Sequence, residues 1–156
     1  MKTLIIVYSY HHNNTLKVAK AMAEILDAEI LTPDKAKSID LEQYDLVGFG
    51  AGIDSGMHYK ELLDFAANIK QNNEAKNCFV FSTSAVQIDD KVAKDHSKLR
   101  NNLCSKNYNI LGEFSCKGFN TNKFLKYFGG MNKNHPNAED ITNAKMFAHQ
   151  LMSKSK

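Results

Sequence analysis

Seven consecutive residues near the start of the chain carry side chains suited to binding an anion. They follow an apolar run at residues 4–8, precede a helical pattern, and read Ser-Tyr-His-His-Asn-Asn-Thr. Their hydroxyl, amide and imidazole groups can donate hydrogen bonds to phosphate oxygens. The first turn of a helix adds N–H groups without intrahelical partners and a partial positive charge. We therefore predict a phosphate-binding loop made of Ser9, Tyr10, His11, His12, Asn13, Asn14 and Thr15.

This loop differs from the common nucleotide-binding motifs. It contains no Lys or Arg, and neither GxxxxGK[ST] nor GxGxxG occurs in it. Binding would therefore depend on neutral N–H and O–H donors, which argues against a nucleoside triphosphate site. The alternative, that His11 and His12 are ordinary loop residues, stays open.

Two more polar segments follow apolar runs further along the chain. Residues 50–58 follow the run 46–50, and a stretch rich in hydroxyls, residues 82–88, follows the run 78–81. Hydroxyls there could contact a ligand or only cap the next helix. Because the carboxyl ends of parallel strands meet at one edge of a sheet, we expect both segments to lie beside the first loop.

The elements that must position these loops alternate between strand and helix. Apolar runs predict five strands at residues 4–8, 29–31, 46–50, 78–81 and 110–114. Helical spacing follows the first, third, fourth and fifth runs, the last helix coming after His135-Pro136. Parallel strands need crossovers, and right-handed crossovers place helices on both faces. We predict one α/β domain, residues 1–156, with a doubly wound five-stranded parallel sheet. The 115–137 segment is long for a connection, and Phe124, Leu125 and Phe128 suggest structure within it.

Composition excludes several classes of function. The chain is 43% hydrophobic and 24% charged, with a net charge of +3 and Arg100 as its only arginine. Without a basic block, we expect no nucleic-acid binding. Cys78, Cys104 and Cys116 are widely spaced, which predicts neither a disulfide framework nor a metal site. No apolar run approaches the roughly 18 residues of a membrane span and no leader is visible, so we expect a cytoplasmic protein without a membrane contact.

Several segments resemble the flavodoxin family. They are YSYHHNNT, GFGAGIDSGMHYKEL, VFSTSA, GEFSCKGF and GGMNKNHPN, and the resemblance covers essentially the whole chain. It implies a flavodoxin-like sheet of order 2-1-3-4-5 that binds FMN. In the family, the first loop holds the phosphate, and the loops after the third and fourth strands enclose the isoalloxazine ring.

The phosphate loop departs from the family pattern TxTGxT or SxTGNT. Tyr10 and His12 stand at the two earlier hydroxyl positions and Asn13 stands at the glycine. Asn tolerates the left-handed backbone region better than most residues, so we expect the turn to form. His12 can still donate an N–H, and a protonated imidazole would add positive charge.

The ring site also departs from the family, whose usual partners are Trp and Tyr. This chain has no Trp; Met57, His58 and Tyr59 occupy the inner position, and Ala85, Val86 and Gln87 the outer one. The resemblance implies that Gly56 lets a peptide reorient beside the flavin. Gly118 and Phe119 either close over the ring or form a simple turn. Beyond the phosphate loop, the implied cofactor-binding residues are Ile53, Asp54, Ser55, Gly56, Met57, His58, Ser82, Thr83, Ser84, Ala85, Gly118 and Phe119.

The resemblance implies low-potential electron transfer with a reductase or ferredoxin-like protein partner. An alternative is an FMN-dependent oxidoreductase that acts on a quinone-like or other small electron acceptor, with residues 115–137 forming one wall of its pocket. A third alternative keeps the fold, loses the flavin and binds another anion. Typical flavodoxins are strongly acidic, and the charge of +3 departs from that habit. No catalytic side chain is assigned; a lone Cys such as Cys116 is more often inert than reactive.

Overall fold

A computed structural model describes residues 1–121, 127 and 129–155 of the chain. The strands are β1 (Thr3–Tyr8), β2 (Ala28–Leu31), β3 (Leu46–Asp54), β4 (Met57–His58), β5 (Lys76–Ser84) and β6 (Tyr108–Lys117). The helices are α1 (Asn14–Leu26), α2 (Pro33–Ala36), α3 (Lys60–Asn68), α4 (Asp89–Ser105) and α5 (Ala138–Lys154), with a 3₁₀ turn at Leu41–Gln43. The prediction that Phe124, Leu125 and Phe128 belong to a structured segment concerns residues outside the described ranges.

The sheet has the predicted topology. Its parallel strands are ordered β2-β1-β3-β5-β6, which confirms the order 2-1-3-4-5 for the five predicted strands. The two-residue strand β4 was not predicted and pairs antiparallel with β3. Since β4 adds only the end of a hairpin, it leaves the order of the parallel strands unchanged.

Two local predictions were wrong. Residues 51–58 do not form a loop: β3 continues to Asp54, turns at Ser55 and Gly56 with φ values of 51° and 80°, and returns as β4. The segment 82–84 belongs to β5 and does not follow it. The short helix α2, which begins with Pro33, was not among the predicted elements.

Two apolar cores lie on opposite faces of the sheet. Phe49 and Val80 of the sheet pack with Leu62 of α3 and Leu99 of α4 on one face. On the other face the helices are α1 and α5, whose buried residues pack against the strands; this core includes Ile5, Phe79, Phe81, Val18, Met22, Ala144 and Leu151. Helices therefore cover both faces, and the free edge is the one formed by the carboxyl ends of the strands.

No helix within the described residues is long and apolar enough to cross a bilayer.

Candidate functional site

The carboxyl ends of β3 and β5 and the segments that follow β1, β4, β5 and β6 line a cavity of about 40 Å³. Since one water molecule needs roughly 10–15 Å³ of such space, this cavity, which we call the cradle, has room for a small group such as a phosphate. Its lining includes the predicted residues Ser9, Tyr10, His11, Asn14, Thr15, Ile53, Thr83, Ser84, Ala85, Gly118 and Phe119, together with Gly52, Tyr59 and Asn120.

The phosphate-binding loop turns sharply beside the cradle, and of its seven residues all but His12 and Asn13 line the cavity. His12 and Asn13 have consecutive left-handed conformations with φ values of 50° and 55°. The turn is closed by Asn14, whose N–H donates to the carbonyl of His11 at 3.2 Å. Within the described part of the chain, no acceptor meets the backbone N–H groups of His11, His12 and Asn13. Successive unpaired N–H groups of this kind form an anion-binding concavity.

Side chains tie the cradle together across three elements. The Thr15 hydroxyl on α1 is 2.8 Å from the Thr83 hydroxyl on β5. Asn14 donates from Nδ2 to the Phe119 carbonyl at 2.8 Å, after the end of β6. Gly118 permits this close approach, because a Cβ there would lie 3.0 Å from Asn14 Nδ2. The cradle is therefore closed by contacts between distant parts of the sequence.

The polar side-chain atoms of Ser9 and Asn14 differ in their hydrogen-bond partners. The Ser9 hydroxyl accepts from the N–H of Leu16 at 3.2 Å and so caps the first turn of α1. The Oδ1 atom of Asn14, a residue only 5% exposed, has no partner among the described residues. A buried acceptor without a donor is costly, and a ligand hydroxyl in the cradle would satisfy it.

The two imidazoles of the loop have different surroundings. The His12 ring lies 4.2 Å from the Phe119 ring, and its Nε2 is 2.9 Å from the Thr121 hydroxyl. His11 lines the cradle beside the ring of Tyr10, with centroids 4.7 Å apart. Burial and the nearby His12 lower the pKa of His11, and Asp54 partly opposes them. His12 thus holds the segment after β6, whereas His11 faces the cavity.

Tyr59 lines the cradle. The sequence placed it at the inner ring position but did not include it among the implied cofactor-binding residues, because a Tyr there was equally compatible with the start of a helix. The Tyr59 ring lies 5.6 Å from the Tyr8 ring and 6.3 Å from the Tyr10 ring, and burial raises the pKa of Tyr59 to about 12. Gly52 makes room for it, since a Cβ there would meet the Tyr59 ring at 2.8 Å.

Some predicted site residues are not brought to the cradle. Because successive strand residues point to opposite faces, Thr83 faces the cradle while Ser82 is buried against His96, with 2.8 Å between Oγ and Nε2. The His58 ring is also buried, 4.8 Å from the His96 ring. The remaining hairpin residues are beside the cradle, not in its lining: Asp54, Ser55, Gly56 and Met57.

The chemistry of the cradle fits a phosphate monoester that carries hydroxyl groups. Its lining, as far as the structure describes it, contains no carboxylate. Unpaired backbone N–H groups and the start of α1 would favour a phosphate, and the buried Asn14 Oδ1 atom, which has no partner among the described residues, could accept from a ligand hydroxyl. Tyr10 and Tyr59 add aromatic surface to the lining, with their rings 6.3 Å apart and tilted by 58°.

Comparison with known proteins identifies the class. A family model described as "Flavodoxin domain" matches residues 5–149, and the chain therefore belongs to the flavodoxin family. FMN is the cofactor that this membership assigns to it.

Individual relatives agree with that family. An uncharacterized protein of Methanocaldococcus jannaschii is 45% identical over 152 residues, which cover 97% of this chain and 99% of the relative. The fold is similar to oxidised Flavodoxin 2 from Bacillus cereus, with a TM-score of 0.71, 16% identity and 99% coverage of both chains. A flavoprotein of Lactobacillus acidophilus, solved in complex with FMN, gives a TM-score of 0.51 and 23% identity over 73% of this chain and 92% of that one.

Proposed function

We propose that this protein is an FMN-dependent carrier that transfers electrons at low potential between redox proteins of the reductase or ferredoxin-like kind. The observation that carries the proposal is the cradle itself, in which unpaired backbone N–H groups at residues 11–13 lie beside two tyrosine rings at an open mouth. Bound FMN supplies the redox chemistry, and the protein sets its orientation and its access to partners.

Each part of the site has a distinct task in this proposal. The backbone of the phosphate-binding loop binds the phosphate, and Asn14 Oδ1 orients the cofactor by accepting from one of its hydroxyls. Tyr10 and Tyr59 contact the ring and exclude water from one side of it. Tyr10 is 68% exposed and Met57 is 37% exposed, so apolar side chains at the mouth remain available to a partner surface.

A second candidate function is an oxidoreductase for a small, quinone-like acceptor. The observation in its favour is that the chain after β6 folds back beside the cradle. Phe119 donates its N–H to the His135 carbonyl at 2.9 Å, and Asn120 pairs with Met131 in an isolated bridge. Asn132 Nδ2 then donates to the Ala85 carbonyl at 2.8 Å. This segment forms a wall that a small substrate could contact.

A flavin titration followed by a turnover assay tests both candidates. FMN fluorescence should be quenched at a ratio of one FMN per chain, and Thr83→Val, which removes a cradle hydroxyl while keeping the shape, should bind more weakly. Steady oxidation of NAD(P)H by quinone without an added reductase selects the oxidoreductase. Reduction only through an added reductase selects the carrier, and an unquenched FMN signal contradicts both.

A further inference from the structure

The cradle contains one imidazole, that of His11, where a phosphate site commonly has a fixed cation. Its described lining contains neither Lys nor Arg, and His11 is its only titratable nitrogen base. The His11 side chain is half-buried between the cavity and the rings of Tyr10 and Tyr59, at centroid distances of 4.7 and 6.3 Å. A dianion in this cavity would therefore be neutralised by backbone dipoles and by whatever charge His11 acquires.

We infer that cofactor binding is linked to proton uptake in this protein: the FMN phosphate and a proton on His11 bind together. The inference rests on FMN binding as proposed above and is independent of which protein or small molecule exchanges electrons with the flavin. The inference assigns the proton to His11 and not to His12, because the His12 ring already contacts Thr121 and Phe119.

The surrounding charges make His11 the responsive group. The charged or titratable residues that act on it or contact it are His12 and Tyr10 in its own loop, Asp54 in the β3–β4 hairpin and Tyr59 before α3. Burial and His12 lower the pKa of His11 in the free protein, and Asp54 opposes them. The ring is therefore neutral near pH 7 until an anion arrives.

The sign of the pH dependence follows from these contacts. A phosphate dianion beside the ring favours the protonated form, so binding raises the pKa of His11. The affinity gained in this way is present below the pKa of the complex and is lost as pH rises through it. A phosphate monoester has a second pKa of about 6. Above about pH 7 the phosphate is therefore mostly a dianion, and the remaining pH dependence of the FMN affinity comes from the protein.

Three measurements on the full chain test the inference. Calorimetric titration with FMN, in two buffers of different ionisation heat at about pH 7.5, measures the protons taken up. NMR of the imidazole C–H signals gives the His11 pKa without and with FMN. Fluorescence titrations between about pH 8.5 and pH 7 compare FMN with riboflavin, which lacks the phosphate.

We expect net proton uptake with FMN, a rise in the His11 pKa, and an FMN affinity that increases about four- to tenfold from about pH 8.5 to pH 7, as a pKa rise of about two units from a value below 6.5 requires. Riboflavin should show less than about a twofold change. His11→Gln should remove the pH dependence. His12→Gln and the exposed control His149→Gln should retain it.

Unfavourable results separate the inference from the proposed function. FMN bound at every pH with the same affinity, or a His11 pKa that FMN does not change, overturns the proton linkage while leaving FMN binding intact. A pH dependence that disappears in His12→Gln but persists in His11→Gln overturns the assignment to His11. FMN that fails to bind at any pH overturns the proposed function and this inference with it.

Discussion

Asn13 closes the phosphate-binding loop with φ of 55°, immediately before the first residue of α1. Its side chain makes no capping hydrogen bond. The residue therefore contributes through its backbone conformation, which sets the path of the loop into α1. A β-branched residue is strained in this region of φ/ψ space, whereas glycine enters it freely.

Substitution of Asn13 should affect stability and FMN binding together. Asn13→Val should lower the free energy of unfolding by roughly 1–2 kcal/mol and weaken FMN binding, because the strained turn moves the loop N–H groups. Asn13→Gly should keep both close to the original values. Urea unfolding and FMN fluorescence titration measure the two effects, with the exposed helical substitution Asn143→Val as the control. Equal FMN affinities for the Val and Gly variants would contradict this role.

Glu113 joins β6 to α4 through a polar network in which His96 is buried and Glu113 and Arg100 are half-buried. It accepts two hydrogen bonds from Arg100, at 2.7 and 2.9 Å, and its Oε2 is 2.7 Å from His96 Nδ1. Burial by itself would raise the pKa of Glu113, but the hydrogen bonds from His96 and Arg100 outweigh it and bring the pKa to about 2. A carboxyl whose pKa is lower in the folded chain than in the unfolded chain stabilises the fold at pH values above the unfolded-state pKa. This stabilisation is lost as the pH falls through the folded-state pKa.

Glu113→Gln should therefore destabilise the protein most at neutral pH. We expect a loss of up to about 3 kcal/mol at pH 7, from a shift of about 2.5 units at 1.36 kcal/mol each. The difference from the unmodified chain should shrink as pH falls from about 4.5 towards 2. Urea unfolding across that range measures it, and the exposed substitution Glu74→Gln should have little effect. A difference that does not change with pH would contradict the assigned pKa.

At the scale of elements, two glycines of β3 are required by close packing against β5. A Cβ at Gly48 would lie 2.3 Å from the Phe79 ring, and one at Gly50 would lie 2.1 Å from the Phe81 ring. The phenyl groups of β5 thus fill the space that side chains on β3 would occupy. The sequence shows the glycines but not the rings that face them, because the rings belong to a distant strand.

Gly50→Ala should disturb the pairing of β3 with β5. The added methyl group should displace the Phe81 ring and cost roughly 1–3 kcal/mol, as overpacked cores do. The double variant Gly50→Ala with Phe81→Leu should recover part of that loss, because the smaller side chain leaves room for the methyl. Thermal unfolding of both single variants and the double variant measures the coupling. Strictly additive losses would show that the ring is not what requires the glycine.

For the whole molecule, the sequence was sufficient for the order of the parallel strands and for the convergence of the loops. The strand order came from the resemblance to the flavodoxin family, and the convergence of the loops came from the alternation of apolar runs with helical patterns in a parallel sheet. It was not sufficient for the positions of Ser82 and His58. Whether a side chain faces the cradle or the core depends on strand register, and the partners of these residues, His96 and Phe81, come from other elements. The FMN-binding roles given to individual residues stay predictions.

The burial of His58 should determine how the whole fold responds to mild acid. His58 is 1% exposed, and its Nδ1 has no partner within the described residues. Burial, reinforced by the neighbouring His96, lowers the pKa of His58 to about 3. As pH falls from about 6.5, the unfolded chain takes up a proton at this residue before the folded chain does. Stability is therefore lost between about pH 6.5 and pH 3.

Replacing His58 by Phe, a ring of similar size that cannot be protonated, should remove this loss. Between about pH 6.5 and pH 4.5, the unmodified chain should lose free energy of unfolding at up to about 1.4 kcal/mol per pH unit. His58→Phe should lose less per pH unit, even if the missing contact with the Phe81 carbonyl makes it less stable at neutral pH. Urea unfolding at several pH values gives both slopes, and His149→Gln should reproduce the original one. Parallel slopes for His58→Phe and the unmodified chain would show that His58 is already protonated in the folded protein or is reached by water.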